Sequence, residues 1–146
     1  LTQVSLKGKA AKAYDPIGGD GEHDEDAAFA LDRFPNTTWS TERYDSFTKD
    51  GVGLYVDAVP GVVGRVLEVR TPTPGFAATV YGAKSGPPDS ISDAGWGRLA
   101  SSPSVAKRQR FDLDTAGQRF RYYLVWITKL PPDSKAVKIS EIALYR

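Results

Sequence analysis

The sequence predicts an all-β fold: a β-sandwich of the jelly-roll type, with about eight short strands and one short helix. Short runs rich in β-branched and aromatic residues recur between turn signals, as in sandwiches and barrels. The 14 glycines and 10 prolines are spread along the chain, and helical periodicity is nearly absent. Because 146 residues are the size of one domain, we expect residues 1–146 to form a single sandwich.

Turn residues lie at the ends of the predicted strands. The predicted strands are residues 9–14, 53–58, 65–71, 76–81, 96–100, 106–113, 119–128 and 137–145. Residues 119–128 are apolar on both faces from Tyr122 onward, which predicts a strand at the centre of its sheet. Residues 65–71 alternate between apolar and charged side chains, the pattern of a half-buried strand. Only residues 26–32 predict a short helix, with acidic residues at its start.

The composition excludes several classes of function. The absence of cysteine excludes disulfides, thiol catalysis, zinc ribbons and iron–sulfur clusters, and the single histidine, His23, excludes multi-histidine metal sites. The net charge of +1 argues against nucleic acid as a partner. The longest apolar run, residues 122–127, is far too short to span a membrane, so we expect no membrane insertion of this domain. The chain begins at Leu1 without an initiator methionine, and we interpret it as a domain of a longer protein.

The acidic residues form no recognisable catalytic or EF-hand motif. Residues 15–26 contain six acids, but the positions that an EF-hand loop reserves for glycine and its final glutamate hold Glu25 and Leu31. We interpret this segment as a solvated loop and His23 within it as a surface residue. No G-x-S-x-G turn occurs, and no carboxylate lies between aromatic residues as a glycosidase acid would; Glu141, in an apolar strand, comes closest. We therefore predict that the chain is not an enzyme.

Three aromatic residues, Tyr44, Phe47 and Trp96, lie in predicted loops beside polar neighbours. An aromatic ring among polar groups offers an apolar surface on which a sugar stacks and donors that orient its hydroxyls. Such rings also cap the ends of sandwiches, and the sequence leaves both interpretations open. As ligand contacts we predict Tyr44 and Trp96 for stacking and Arg43 and Lys49 for ionic or polar contacts.

Residues 30–39 (Ala-Leu-Asp-Arg-Phe-Pro-Asn-Thr-Thr-Trp) resemble the early motif of discoidin-like domains, also called galactose-binding-like domains, which include many carbohydrate-binding modules. The matching residues are Asp32, Pro35, Thr37 and Trp39, and the last predicted strand, with Glu141, resembles the strand that closes the family's sandwich. The resemblance covers essentially the whole chain. It implies a galactose-binding-domain-like jelly roll and a non-catalytic binding module.

Many members of this family hold a structural calcium near the early motif. The resemblance implies Asp32, Thr37 and Glu141 as its ligands, and oxygen ligands of this kind suit calcium. Two positions depart from the family's pattern: Arg33 stands where glycine is usual, and Phe34 where asparagine is usual. Arg33 could itself supply the positive charge that a metal would bring. The apolar phase also changes near Ser140 and Glu141, which indicates a bulge in the last strand.

Three shorter segments suggest a narrower resemblance: residues 15–22, 39–44 and 49–54 are similar to the extracytoplasmic C-terminal domain of actinobacterial membrane proteins of the MviN-type lipid II flippase and pseudokinase family. This resemblance implies an extracytoplasmic location in the cell envelope, within a larger membrane protein of cell-wall synthesis. It implies a glycan or a peptidoglycan fragment, or an envelope protein, as the partner. The alternative is a protein–protein interaction or spacer domain with no sugar site.

Overall fold

The computed structural model describes residues 1–18 and 21–146; Gly19 and Asp20, which belong to the acidic segment and to the narrower resemblance, lie outside the described residues. Ten antiparallel strands form three sheets in the described part of the chain. They are β1 (Ala11–Tyr14), β2 (Trp39–Ser40), β3 (Val52–Val62), β4 (Val66–Arg70), β5 (Ala77–Ala83), β6 (Gly97–Ser102), β7 (Arg108–Asp112), β8 (Phe120–Lys129), β9 (Lys138–Ile139) and β10 (Glu141–Tyr145). The predicted all-β sandwich is confirmed.

A five-stranded sheet, in the order β1-β3-β8-β5-β6, packs on a three-stranded sheet in the order β10-β4-β7, and β2 pairs with β9. One apolar core lies between the two larger sheets and includes Leu54 and Val125 from one sheet and Leu67 and Leu144 from the other. The predicted alternation in β4 is confirmed, because Leu67 and Val69 are fully buried. Burial of apolar surface of this kind contributes about 25 cal/mol per Å² to stability.

The central position predicted for residues 119–128 is confirmed, because β8 pairs with β3 on one side and with β5 on the other. Alternate side chains of β8 point in opposite directions. Tyr123, Val125 and Ile127 belong to the core between the sheets. Tyr122, Leu124 and Trp126 belong to a second cluster on the outer face of the five-stranded sheet. A strand that is apolar on both faces therefore needs a cover on each side.

The outer cluster is covered by the long connection between β5 and β6. Its buried members are Tyr14, Tyr55, Ala83, Trp96, Tyr122, Leu124 and Trp126. The Tyr14 hydroxyl donates to the carbonyl of Pro88 at 2.6 Å, and Ile91 packs against the cluster. These contacts hold the connection against aromatic rings that would otherwise face water.

The helix predicted over residues 26–32 is a longer 3₁₀ segment, Gly21–Leu31. It is kinked at Glu22 and His23, whose φ angles of 46° and 52° lie in the left-handed region. Ala27 and Ala30 are buried three residues apart, which matches the three-residue turn of a 3₁₀ helix and explains why an α-helical periodicity is absent. Within residues 1–18 and 21–146, no helical segment is long and apolar enough to cross a membrane.

In place of the predicted bulge near the C-terminal end, the structure has a break at Ser140, which separates β9 from β10. On one side of the break β9 pairs with β2, and on the other β10 pairs with β4. The Ser140 backbone N–H donates to the carbonyl of Arg70 at 2.9 Å, so the break itself is hydrogen-bonded to the end of β4. Glu141 thus begins β10 beside this junction.

Candidate functional site

A buried carboxylate, that of Glu22, organises the loops at the end of the sandwich where β1 finishes and β3 begins. The residue is 0% exposed. The Tyr44 hydroxyl lies 2.6 Å from each carboxylate oxygen, and the Glu42 backbone N–H donates to Oε1 at 3.0 Å. The Trp39 indole N–H donates to the Glu22 carbonyl at 2.8 Å. Buried polar groups are stable only when bonded in this way.

Lys49 supplies positive charge to this carboxylate. Its Nζ lies 3.1 Å from Asp15 and 3.4 Å from Glu22, and its side chain is only 15% exposed. The ammonium also lies 5.4 Å from the centre of the Tyr44 ring. We call Glu22, Tyr44, Lys49 and Asp15 the buried carboxylate network. The expectation of a solvated acidic loop is therefore wrong for Glu22, and Lys49, predicted as a ligand contact, serves as a partner of the protein's own carboxylates.

Tyr44 is held in one orientation by this network. Burial, with a smaller contribution from its hydrogen bond to Glu22, raises the pKa of the Tyr44 hydroxyl. Its ring meets Phe47 edge-on, with centroids 4.9 Å apart, and its backbone N–H donates to the Lys135 carbonyl at 2.8 Å. The ring is half-buried, and Arg43, the preceding residue, is exposed. The structure therefore brings Tyr44, Arg43 and Lys49 together at one end of the sandwich.

His23 adjoins the network and is half-buried. Its Nδ1 lies 3.0 Å from the Ser40 carbonyl, and its Nε2 lies 3.7 Å from Glu42. The Ser40 contact is the main cause of the raised pKa of His23. The histidine thus links the kinked 3₁₀ segment to the strand that follows it.

The expectation that Trp96 offers a stacking surface needs correction. Trp96 is 7% exposed and belongs to the outer cluster. Its Nε1–H donates to the Tyr14 hydroxyl at 3.0 Å, and the two rings meet edge-on at 5.5 Å. Because so little of Trp96 is exposed, it packs into the outer cluster and attaches the covering connection to the sheet instead of offering a stacking surface.

The three residues expected to bind calcium lie close together. The Thr37 hydroxyl donates to Asp32 at 2.5 Å, and the Phe34 backbone N–H donates to the other oxygen of that carboxylate at 2.9 Å. Burial raises the pKa of Glu141, and the negative charge of Asp32 raises it further, while a hydrogen bond from the Arg33 backbone opposes the shift. A cation beside Glu141 would favour the ionised form of this carboxylate.

The donors at this place fit calcium through their chemistry. Asp32, Thr37, Glu141 and the loop carbonyls offer only oxygen, the element that calcium prefers. In the part of the chain that the structure describes, no group of three His, Cys, Asp or Glu side chains could hold a metal. A calcium ion here would therefore depend on hydroxyl, carbonyl and water ligands beside two carboxylates. Arg33 adopts a φ of 65°, in the left-handed region that favours glycine.

We expect a calcium ion held by Asp32, Thr37 and Glu141 to raise the thermal stability of the protein. After treatment with a chelator, adding calcium at about one hundred times its dissociation constant is expected to stabilise the protein by about 2.7 kcal/mol. In a protein of this size that corresponds to a rise in melting temperature of about 5–10 °C. Glu141→Gln should abolish the rise, whereas Glu25→Gln, at an exposed position of the 3₁₀ segment, should retain it. A wild-type melting temperature unaffected by calcium and by chelator would contradict the site.

No family model and no curated protein matches this sequence. Solved structures do. The CBM32 domain of AlyQ, in complex with 4,5-unsaturated mannuronic acid, matches with a TM-score of 0.70 and 14% identity over 100% of this chain and 99% of that chain. Chitosan-binding module 1 of a chitosanase/glucanase from Paenibacillus sp. IK-5 matches with a TM-score of 0.70 and 14% identity over 97% of each chain. A Ruminococcus gnavus GH29 fucosidase matches with a TM-score of 0.68 and 17% identity over 97% of this chain.

The matches differ in how much of each neighbour they cover. This chain spans 26% of the fucosidase but nearly the whole of the two binding modules. The part of the enzyme chain that it matches is thus a minor portion of that protein. At these identities the likeness is one of fold, and the chain has the jelly-roll fold of the two solved binding modules.

Proposed function

We propose that this chain is a non-catalytic carbohydrate-binding module whose ligand is a cell-wall carbohydrate or a peptidoglycan-derived glycan. The observation that best supports this proposal is that the fold is coextensive with two solved modules, one described as chitosan-binding and one bound to an unsaturated mannuronic acid. Fold alone does not determine function, so the proposal also depends on the site.

Arg43 and Tyr44 form the ligand surface in this proposal. The buried carboxylate network and Phe47 fix the Tyr44 ring, so little conformational freedom is lost when a sugar packs on it. The exposed Arg43 guanidinium can donate two parallel hydrogen bonds to a carboxylate, such as those of peptidoglycan. Lys49 acts indirectly, because it compensates the charge beneath Tyr44.

The absence of catalysis in the proposal is supported by the state of the two carboxylates in the buried carboxylate network. Asp15 and Glu22 have side chains 7% and 0% exposed, and Lys49 lies against both. A glycosidase needs two carboxylates that face the scissile bond across an open groove. These two carboxylates face the protein instead.

We also propose that the module works outside the cytoplasmic membrane, as a domain of a larger envelope protein of cell-wall synthesis. The support is the resemblance of residues 15–22, 39–44 and 49–54 to the extracytoplasmic domain of the MviN-type family. The solved neighbours include long enzyme chains of which this fold is a minor part, so attachment to a larger protein is compatible with the fold.

Retention on intact peptidoglycan sacculi tests the function. The purified domain should sediment with sacculi, and Arg43→Gln should weaken retention about tenfold, the effect of losing roughly 1.4 kcal/mol. Arg110→Gln is the matched control: it removes the same charge from an exposed arginine on the three-stranded sheet and should retain binding. Absence of wild-type retention, with and without calcium, would contradict the proposal and favour a protein-interaction or spacer domain.

A further inference from the structure

The far end of the sandwich contains a groove that the proposed glycan surface does not use. β3 begins at Val52, at the end of the sandwich that contains Glu22. Its second half, residues 57–62, forms one wall of the groove. Residues 4–7 form the other wall, and Arg119 and Arg146 complete it. Its volume is about 460 Å³. That size falls in the range of about 300–1,000 Å³ typical of sites for small ligands.

The groove exists because β1 covers only part of β3. β1 pairs with β3 from Gly53 to Val56, and the chain before β1 turns through the 3₁₀ helix Gly8–Ala10. Beyond Val56, β3 continues to Val62 without a β1 partner on that edge. The edge of the sheet and residues 4–7 therefore enclose a space between them.

The charges along the groove are strongly biased. Three cationic residues line it, Lys7, Arg119 and Arg146, and the one acidic side chain in its lining is that of Asp57. Arg121 donates to both oxygens of Asp57 at 2.8 Å. This bidentate bond lowers the pKa of Asp57 and neutralises its charge.

The three cations keep their charge available. Across residues 1–18 and 21–146, the ion pairs of the structure involve none of Lys7, Arg119 and Arg146. Arg119 donates from Nη1 to the Gly61 carbonyl at 3.1 Å, which holds its guanidinium at the groove and leaves other N–H groups for a ligand. Cations from three separate parts of the chain thus converge on one space.

The walls of the groove are apolar between these charges. Val4, Leu6, Val59 and Pro60 line it, and Val59 is 63% exposed. A ligand that fits must combine a negative group with an apolar face in a small volume. A sugar ring bearing a carboxylate has both, since its C–H face is apolar. An extended acidic peptide would need a longer trough.

We propose that this groove binds a carboxylated sugar unit of a glycan, with the carboxylate paired to Arg119, Arg146 and Lys7 and the ring packed on Val59 and Pro60. The choice of a glycan rests on the proposed function, whereas the anionic character of the ligand rests on the charges alone. The site is separate from Arg43 and Tyr44.

Calorimetric titration with a galacturonate trisaccharide tests the proposal, and its fully methyl-esterified form is the uncharged control probe. The charged probe should bind and the ester should not. Binding should weaken as salt shortens the screening length from about 10 Å at 0.1 M to about 3 Å at 1 M. Arg119→Gln and Lys7→Gln should each weaken binding at least tenfold. Lys7 makes no side-chain hydrogen bond among those of the described residues, so its variant should fold normally even where Arg119→Gln does not.

Arg110→Gln again supplies the control for net charge and should bind the probe as the wild type does. Equal binding of the ester, equal effects of Arg110→Gln and Lys7→Gln, or equally tight binding of a triglutamate peptide would each overturn the assignment. The two proposals fail separately. Sacculus retention without trisaccharide binding overturns the groove alone. The opposite result is also informative. If the wild type binds the trisaccharide, Lys7→Gln does not, and the wild type is not retained on sacculi, the groove is supported and the proposed wall ligand is contradicted.

Discussion

Glu22→Ala is expected to lower the free energy of unfolding by about 3 kcal/mol. The change removes the acceptor of the Tyr44 hydroxyl and of the Glu42 backbone N–H, and it removes a carboxylate that lies beside Lys49. Leaving buried groups without partners costs about 1–3 kcal/mol each, and breaking a buried ion pair costs about 3–5 kcal/mol. For a domain of this size we expect the melting temperature to fall by about 6–12 °C. Urea and thermal denaturation measure both quantities.

Glu25→Ala is the matched control for this experiment. It makes the same substitution three residues further along the same 3₁₀ segment, at an exposed position. The effect of such a surface change should stay within about 0.5 kcal/mol. Glu22→Gln should fall between the two, since the amide keeps an acceptor oxygen and loses the charge. Equal stability of Glu22→Ala and Glu25→Ala would show that the buried carboxylate network does not stabilise the loops.

Trp96→Ala is expected to destabilise the protein by about 3–5 kcal/mol, the usual cost of removing a buried indole. The variant loses the edge-on contact with Tyr14, the hydrogen bond to its hydroxyl, and a second edge-on contact with Tyr81. The connection over the outer cluster would lose its attachment as well. Chemical denaturation measures the loss, and near-ultraviolet circular dichroism reports the packing of the cluster.

Phe34→Ala provides the comparison, because Phe34 is also a large aromatic residue beside a loop but is 65% exposed. We expect it to change stability by less than about 0.5 kcal/mol. If Trp96→Ala were as stable as Phe34→Ala while sugar binding fell, Trp96 would be a ligand platform rather than part of the cluster. Retention on sacculi at a temperature where Trp96→Ala is folded separates these results.

The sequence predicts those parts of the fold that are indicated by the pattern of apolar residues along a short segment. β8 is apolar on both faces, and this alone indicates a central strand. The change of apolar phase at Ser140 likewise indicates the point where the last strand changes partner. The short strand β2 has no such signal, because its two residues pair through β9, about one hundred residues further along the chain.

The candidate site is less predictable, because its contacts join distant segments. Tyr44 and Lys49 lie close in sequence, and their neighbours indicate a shared loop. Nothing near Glu22 indicates that one acid among six is fully buried, since Glu42 and Tyr44, which donate hydrogen bonds to its carboxylate, lie 20 or more residues away. Trp96 stands between two glycines and resembles a loop residue, while Tyr14, which accepts its indole hydrogen bond, is 82 positions away.

The charged groove at the far end is also hard to predict from the sequence. Lys7, Arg119 and Arg146 are scattered over the sequence, and the basic run that the sequence does show, residues 107–110, lies elsewhere, on β7 and just before it. A local count of charges therefore points to the wrong surface. Only the topology brings the three cations together.

The place of β8 between β3 and β5 also sets the order in which the molecule can assemble. β8 must close loops of more than fifty residues back to β3 and more than thirty back to β5 before its hydrogen bonds form. The entropy lost on closing such loops opposes the first contacts, and it is offset only when the remaining contacts of the sheet form. Chains dominated by distant pairings fold on a scale of milliseconds to seconds. During translation, most of the domain is therefore synthesised before β8. Until β8 follows, β3 and β5 of the nascent chain lack the strand that pairs with both of them.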